Sequence, residues 1–283
     1  MKKSQELENL WEAIQDERVA PADLKRTGYL ALQQGDFYIA RKVFTILGDS
    51  EKLQVCAEQA LASSRDWAWD AALAFQTLEN RDGLFRALLQ QEKRHSTHNE
   101  KIAQMYIGKK TEECFRQDFR TWNRKKGFRQ ERSVNPHELI MAHALAGKYD
   151  VGIGIAKAGL AFAYLSSLLG LETYVADCHR KGRKNTSFAW KDEVHIKEGS
   201  RVLVLDIDVV SGRTSERVLQ EILKYQPREV DLALTLDPKQ GPYTLGSIVE
   251  NIPQGYEKVY FPKDFSCNHF PQAVQRLENA LEK

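Results

Sequence analysis

The strongest constraint on the fold lies in residues 202–214, which read Val-Leu-Val-Leu-Asp-Ile-Asp-Val-Val-Ser-Gly-Arg-Thr. Four consecutive apolar residues predict a buried β-strand, and Asp206 stands where that strand ends. A short turn follows, and a segment with helical periodicity begins at Thr214. A strand that leads through a tight turn into a helix is the repeating unit of parallel sheets, so this stretch predicts an α/β fold.

The turn after this strand carries side chains suited to a phosphorylated sugar. The Asp206 carboxylate can accept hydrogen bonds from sugar hydroxyls, and Gly212 allows the backbone to approach an anion closely. Ser211 and Thr214 add hydroxyl donors, while the first N–H groups of the following helix lack helical partners and favour phosphate. The expected phosphate-binding set is Asp206, Asp208, Val209, Val210, Ser211, Gly212, Arg213 and Thr214.

Strand and helix patterns alternate throughout residues 135–283 and extend this prediction. Asn135-Pro136 can cap and begin a helix that runs to about Ala146. The expected strands are Asp150–Ile155, Thr173–Ala176, Arg201–Asp206, Val230–Leu236 and Lys258–Phe261, and the expected helices are Leu160–Leu169 and Thr214–Tyr225. This order predicts a parallel sheet covered on both faces, whose ligands bind beyond the carboxyl ends of the strands.

A second loop, Ala156-Lys157-Ala158-Gly159, is predicted at the same edge of the sheet. Its successive amides could wrap a phosphate, and Lys157 would add positive charge. Two rival interpretations fail on spacing. A P-loop requires Lys and Ser or Thr where Leu160 and Ala161 stand, and a dinucleotide fingerprint requires glycine where Lys157 stands.

Residues 202–214 resemble the PRPP-binding signature of type I phosphoribosyltransferases, where PRPP is 5-phosphoribosyl 1-pyrophosphate. That signature reads four apolar residues, two adjacent acids, a short loop and Gly-x-Thr. Ile207 stands where the family usually has its second acid, and Val210 stands where purine-type members often have an acid. Lys157-Ala158-Gly159 is similar to the family's pyrophosphate loop, which commonly reads Arg-Gly-Gly.

This resemblance implies transfer of a 5-phosphoribosyl group from PRPP to a nitrogenous base, with release of pyrophosphate. Asp206 would hold the ribose, and magnesium would bind through PRPP, with Asp206 or Asp208 as a further ligand. The residues that the resemblance marks as catalytic are Asp206, Lys157 and Arg180. The basic segment with Arg180, Lys181, Arg183 and Lys184 corresponds to a mobile loop that closes over PRPP, although a solvated turn explains the same composition.

Two further assignments from the resemblance concern the acceptor. Tyr260 and Phe261 match the closing strand that contacts the base in purine-type members, although core packing explains them equally well. The acceptor base itself is not identified by any residue. Members of the family commonly dimerise, which leaves a homodimer open.

Residues 1–100 contain no convincing strand and predict an all-α, helical-repeat-like domain. Gly35-Asp36-Phe37, Phe44 and Leu47 recur about 31 residues later as Arg65-Asp66-Trp67, Phe75 and Leu78. Such a domain would provide a surface for a protein partner, although a helical cap on the next domain is nearly as plausible.

Residues 101–134 are expected to form a basic aromatic linker or helix between the two domains. Within Phe115–Arg129, aromatic residues at helical spacing accompany a dense set of cations. One hypothesis is a nucleic-acid or anionic-partner surface on which bases stack. The alternative, which we favour, is an amphipathic helix whose aromatics dock on the core while its arginines stay solvated.

Composition excludes several other classes of protein. The formal net charge of the 283 residues is only +2, so nucleic-acid binding would require a local patch. Residues 1–3 lead into a charged segment and no apolar run is long enough to cross a membrane, which predicts a cytoplasmic protein. The four cysteines lie far apart and predict reduced, mostly structural thiols, and the pair His95 and His98 lacks the further ligands of a metal site.

Two functions therefore remain from the sequence. The first is a working phosphoribosyltransferase with an N-terminal helical domain. The second is a phosphoribosyltransferase-like protein with weak or no catalysis, which binds PRPP or a nucleotide and acts as a regulatory module.

Overall fold

The computed structural model describes residues 7–8, 11–12, 14, 20–63, 67–92, 99–181, 185–209, 211–235 and 251–283. The side chains of residues 179–181 and 185–186 are outside this description. Predictions for Arg65, Asp66, His95, His98, Arg183, Lys184, Val210 and Leu236 lie outside the described residues. The chain divides into two compact units, Met1–Tyr106 and Ile107–Lys283.

The first unit is helical throughout its described part, as the sequence predicts. Its helices are α1 (Pro21–Gln34), α2 (Phe37–Leu47), α3 (Ser50–Ala62), α4 (Ala68–Thr77), α5 (Arg81–Glu92) and α6 (Asn99–Ile107), the last ending at the boundary. Side chains of Asp36 and Asp49 accept hydrogen bonds from Ile39 N–H and Lys52 N–H, so each caps the helix that follows. Phe44 and Phe75 are both fully buried. The sequence repeat itself stays a prediction, because residues 64–66 are not described.

The second unit is a mixed α/β structure built on a six-stranded, mostly parallel sheet. Its elements are α7 (Lys109–Lys125), α8 (Pro136–Leu145), β1 (Val151–Ala156), α9 (Leu160–Leu168), β2 (Glu172–Lys181), β3 (Asn185–Trp190), β4 (Arg201–Asp206), α10 (Arg213–Leu223), β5 (Glu229–Leu234), β6 (Val259–Tyr260) and α11 (Phe270–Leu281). The strand order is β3-β2-β1-β4-β5-β6. Asn135 caps α8 through hydrogen bonds from His137 N–H and Glu138 N–H, as its position before proline predicts.

Both faces of the sheet are covered, and the alternation of strand side chains determines what each face contacts. One face packs against α10 through apolar residues of the strands and helix: Val151, Ile153, Ile155, Val202, Val204, Val230, Leu232, Leu234, Val218, Leu219 and Ile222. The other face receives α9, where a Cβ added to Gly154 would lie 2.5 Å from the Cβ of Ala163. Gly154 therefore allows α9 to lie unusually close to β1.

The sheet differs from the sequence prediction around residues 172–190. β2 continues to Lys181 instead of ending at Ala176, and β3 pairs with it in the antiparallel direction, with Lys181 opposite Asn185. The sheet is therefore not wholly parallel, and part of the expected basic loop is the arm of a β-hairpin. Elsewhere along the described residues, no helix is long and apolar enough to cross a membrane.

Candidate functional site

A pocket of about 190 Å³ lies at the carboxyl edge of the sheet, where the sequence predicts ligand binding. We call it the sheet-edge pocket. It is lined by Ile155, Ala156, Ala158, Cys178, Asp206, Asp208, Val209, Ser211, Gly212, Thr214 and Ser215. The ends of β1, β2 and β4 thus meet the start of α10, and residues from both predicted phosphate loops share one cavity. Its volume is below the roughly 300–1,000 Å³ of pockets for drug-sized ligands.

Two carboxylates, Asp206 and Asp208, lie in this pocket, whereas Ile207 between them is not part of its lining. Asp206 is buried, and its Oδ1 accepts a hydrogen bond from Ile207 N–H at 2.8 Å. Burial raises the pKa of Asp206 to about 7 and the charge of Asp208 raises it further, although the Ile207 N–H opposes this. Burial also raises the pKa of Asp208. The charged form of both carboxyl groups is therefore disfavoured, and a cation or hydroxyl donors in the pocket would stabilise it.

The turn before α10 brings backbone close to the pocket at Gly212. This residue has a φ of +71°, and a Cβ built on it would lie 2.1 Å from the carbonyl oxygen of Asn251. Only glycine fits both conditions. Two hydrogen bonds hold the turn in place: Ser215 Oγ donates to Gly212 O at 3.0 Å, and the Tyr256 hydroxyl donates to Ser215 O at 2.8 Å. The first turn of α10 follows directly after Gly212, so this backbone has the arrangement of a helix start that can bind an anion.

The loop after β1 contributes Ala156 and Ala158 to the pocket, but Lys157 is exposed and is not part of the lining. Gly159 is required by packing, since a Cβ there would lie 2.1 Å from Leu205 O at the end of β4. The loop is also held by Arg132, which lies between α7 and α8. Arg132 donates to Ala158 O at 3.0 Å and forms an ion pair with the fully buried Glu138 at 3.1 Å.

Cys178 is a pocket residue that the sequence interpretation treated only as a structural thiol. It lies on the same face of β2 as Tyr174 and Ala176, and alternation carries that face to the pocket once β2 extends past Ala176. Burial raises the pKa of its thiol to about 11, so Cys178 is neutral at physiological pH. It adds a small, weakly polar wall to the pocket.

Of the remaining predicted residues, Tyr260 and Phe261 are not part of the described pocket lining, and Arg180 and Lys181 are described only by their strand pairing. Arg180 and Lys181 belong to the distal part of β2, opposite Thr186 and Asn185 of β3. The Tyr260 hydroxyl contacts the Tyr149 hydroxyl at 3.0 Å, and Tyr149 also donates to the buried Asp231. Tyr149 precedes β1, so this network lies toward the amino ends of the strands. Phe261 packs against the core and Lys263 lies over its ring.

The segment Phe115–Arg129 separates into a buried aromatic part and an exposed cationic part. Phe115 and Phe119 are fully buried and contact the ring of Tyr164, each with a centroid separation of 5.6 Å. The half-buried Trp122 also contacts Tyr164, at 5.2 Å. This corrects the stacking part of the nucleic-acid hypothesis, because Phe115 and Phe119 cannot receive bases while they fill the core.

Comparisons with known proteins give weak similarities. No protein-family model and no curated protein matches the sequence. A purine phosphoribosyltransferase from Pyrococcus horikoshii Ot3 is similar at 28% identity over 44% of this chain and 85% of that chain, with a TM-score of 0.33. A protein from Aquifex aeolicus is 18% identical over 64% of this chain and 75% of its own, with a TM-score of 0.32. A hypothetical protein from Neisseria gonorrhoeae, solved with bound ppGpp, is 19% identical over 50% of this chain and 91% of its own, with a TM-score of 0.29. These similarities do not assign the chain to a family.

Proposed function

We propose that residues 107–283 form a type I phosphoribosyltransferase-like domain that binds PRPP in the sheet-edge pocket. The observation that carries the proposal is the joining of two acids, a glycine turn and a helix start in one cavity at the carboxyl edge. The start of α10 would bind the 5′-phosphate through Ser211, Thr214 and backbone N–H groups. Asp206 and Asp208 would accept hydrogen bonds from the ribose hydroxyls.

The acid pair gives a physical reason to retain the PRPP hypothesis despite Ile207. The expected second acid is absent next to Asp206, but Asp208 reaches the same pocket because residues two apart in an extended segment share a face. The chain would thus supply two carboxylates at positions i and i+2, where the family signature has them at adjacent positions. Such a pair can still engage a vicinal diol.

The chemistry of the pocket also fits magnesium as a substrate-borne ion. Carboxylate oxygens are preferred ligands, and Asp206 and Asp208 provide them. No group of three or more His, Cys, Asp or Glu side chains suited to a metal occurs within the described ranges, so other ligands would come from PRPP. Magnesium would neutralise charge on the departing pyrophosphate.

The proposed reaction is a displacement at C1 of the ribose. A nitrogen of the acceptor base forms a bond to C1 while the bond from C1 to the pyrophosphate oxygen breaks. The electron pair leaves with pyrophosphate, and the N–H proton of the base is taken up by the departing pyrophosphate or by solvent. The protein would act by positioning both reactants and by placing the 156–159 amides near the pyrophosphate.

A second candidate is binding of PRPP or a nucleotide without efficient turnover. It is favoured by the lining of the sheet-edge pocket, to which no described Lys or Arg contributes, since the exposed Lys157 is not part of it. Neutralising the leaving group would then depend on Arg180 or Lys181 in the hairpin. The two functions share the binding step and differ in catalysis.

One experiment separates them. The full-length protein is incubated with PRPP, magnesium and each of a panel of nucleobases, and pyrophosphate release is measured beside PRPP binding by calorimetry. Release with at least one base, lost in Asp206→Ala, is the expected result. PRPP binding with no release from any base would establish the second function, and absence of PRPP binding would overturn both.

A further inference from the structure

A second pocket is formed by the end of α7 and the segment that follows it. It has a volume of about 590 Å³, within the range typical of small-molecule sites. Its lining is Arg120, Arg124, Gly127, Phe128, Arg129, Gln130 and Glu131, and it shares no lining residue with the sheet-edge pocket. We call it the arginine pocket.

The charge of the arginine pocket is strongly unbalanced. Arg120 forms an ion pair with Glu131, the only acid in the lining. Arg124 and Arg129 are exposed, and neither side chain has a hydrogen bond or ion pair to any other part of the described chain. Two exposed guanidinium groups therefore belong to residues that line one concave surface. A planar guanidinium can bind a phosphate through two parallel hydrogen bonds.

The backbone that presents these arginines is held at several points. The fully buried Asn123 donates from Nδ2 to Gln130 O at 3.0 Å, and its own carbonyl oxygen accepts from Phe128 N–H at 3.0 Å. Phe128 is buried beneath the Lys191 ammonium, which lies 5.3 Å from the ring centroid. Lys126 pairs with Asp192. A turn tied down in this way presents its arginines with little ordering cost on binding.

The aromatic residues of this segment decide between a small anion and a nucleic-acid strand. Strand-binding proteins combine cations with exposed aromatic rings on which bases stack. Here Phe115, Phe119 and Phe128 are all buried. The half-buried Trp122 contacts Tyr164 and is not part of the lining. The arginine pocket therefore offers cations without an exposed aromatic ring in its lining, and its concavity suits a compact ligand.

We propose that the arginine pocket binds a small molecule carrying two or more phosphate groups, with Arg124 and Arg129 as its main ligands. The site is separate from the sheet-edge pocket and does not depend on the function proposed for it. It does lie close to that pocket in the chain, because Arg132, three residues after Arg129, donates to Ala158 O of the loop after β1.

The test is calorimetric titration of the full-length protein with inorganic tripolyphosphate, without magnesium, at an ionic strength of about 0.15 M to suppress weak surface attraction. The test variant is Arg124→Gln with Arg129→Gln. The control is Lys110→Gln with Lys125→Gln, which removes the same charge from two exposed α7 residues outside the pocket. A third variant, Ser211→Ala with Thr214→Val, reports any contribution from the sheet-edge pocket. Thermal unfolding of each variant verifies that it is folded.

The arginine variant is expected to raise the Kd for tripolyphosphate by at least about tenfold, as loss of charged hydrogen bonds requires. The lysine control and the sheet-edge variant should both remain within about threefold of the wild type. Equal weakening in the arginine and lysine variants would overturn the proposal, since it would indicate only general attraction. So would loss of binding in the sheet-edge variant alone, or binding of a single-stranded oligonucleotide by a wild-type protein that ignores tripolyphosphate.

Discussion

Asp206 is the residue whose burial has the largest electrostatic consequence in the sheet-edge pocket. Its pKa is raised to about 7 in the folded protein, against an ordinary value near 4 when the chain is unfolded. Between these values the folded state binds the proton more tightly, so stability falls as pH rises from about 4 to about 7. Above about 7 this contribution is constant. The site therefore carries a cost at neutral pH that a bound cation can relieve.

Replacing Asp206 by Asn should remove that pH dependence. Between pH 5 and pH 8 the wild type should lose about 2 kcal/mol of unfolding free energy that Asp206→Asn keeps, because the amide has no charge to desolvate. Urea unfolding at the two pH values measures the difference. Asp231→Asn is not a suitable control, since Asp231 accepts the Tyr149 hydroxyl, but the exposed Asp23→Asn is. Parallel curves for Asp206→Asn and the wild type would contradict the buried, proton-binding state of this carboxyl.

Asp208 and Ile207 provide a second test at the residue scale. Asp208 lines the pocket and Ile207 does not. Asp208→Asn should raise the Kd for magnesium-PRPP by about tenfold, since a charged hydrogen-bond acceptor is lost. Ile207→Asp should change it by less than about threefold, because the new acid lies outside the lining. Calorimetry of both variants measures these Kd values. Tighter PRPP binding by Ile207→Asp would contradict this assignment and support the adjacent pair of acids that the family signature implies.

The sequence predicts those pocket residues that belong to the single motif in residues 202–214. Asp206, Ser211, Gly212 and Thr214 follow from the strand-turn-helix pattern, since each chemical role requires that residue type. Cys178 was not predictable in the same way, because its place depends on how far β2 extends. A polar, basic sequence gives no apolar alternation from which that length could be inferred.

At the scale of elements, the turn into α10 depends on Gly212 more than on any side chain. Gly212 and Gly199 both have positive φ, +71° and +77°, so alanine is strained at either position. They differ in their surroundings: a Cβ at Gly212 meets Asn251 O at 2.1 Å, while a Cβ at Gly199 meets nothing within 4 Å. The two positions therefore separate backbone strain from steric displacement.

Gly199→Ala is expected to cost about 1 kcal/mol of unfolding free energy, the usual penalty for alanine at positive φ. Gly212→Ala should cost clearly more and should also weaken PRPP binding, because either the turn or residue 251 must move. Urea unfolding and PRPP calorimetry on both variants measure the two effects. Equal stability losses, with PRPP binding intact in Gly212→Ala, would show that the approach to Asn251 is not needed by the site.

Some helices and strands can be predicted from the sequence more accurately than others. Apolar runs and caps placed β1, β4, α8 and α10 within a few residues, because buried strands and amphipathic helices repeat at their own periods. The end of β2 was missed because residues 179–181 are polar or basic and give no apolar alternation. β3 was missed although Phe188 and Trp190 share one face and pack against the core, because two apolar residues at this spacing are too short a pattern to predict a strand.

At the scale of the whole molecule, the small net charge of +2 hides local concentrations of opposite sign. Two acids with raised pKa values line the sheet-edge pocket, and two arginines without a partner among the described residues line the arginine pocket. Both pockets are lined only by residues of the second unit. The first unit has a separate apolar core, built around residues such as Phe44 and Phe75. Ligand chemistry is therefore concentrated in one unit of the chain.

This distribution predicts the behaviour of a fragment. A chain containing residues 108–283 holds every lining residue of both pockets, so it should bind magnesium-PRPP with a Kd within about threefold of the full-length value. Calorimetry on the fragment and the full chain makes the comparison, with circular dichroism to verify that the fragment is folded. The Asp208→Asn substitution, made in the fragment, should weaken PRPP to the same extent as in the full chain, because the same carboxylate is lost. A folded fragment that fails to bind PRPP would mean that the helical unit supplies part of the site, and the binding determinants would then have to be sought within residues 1–107.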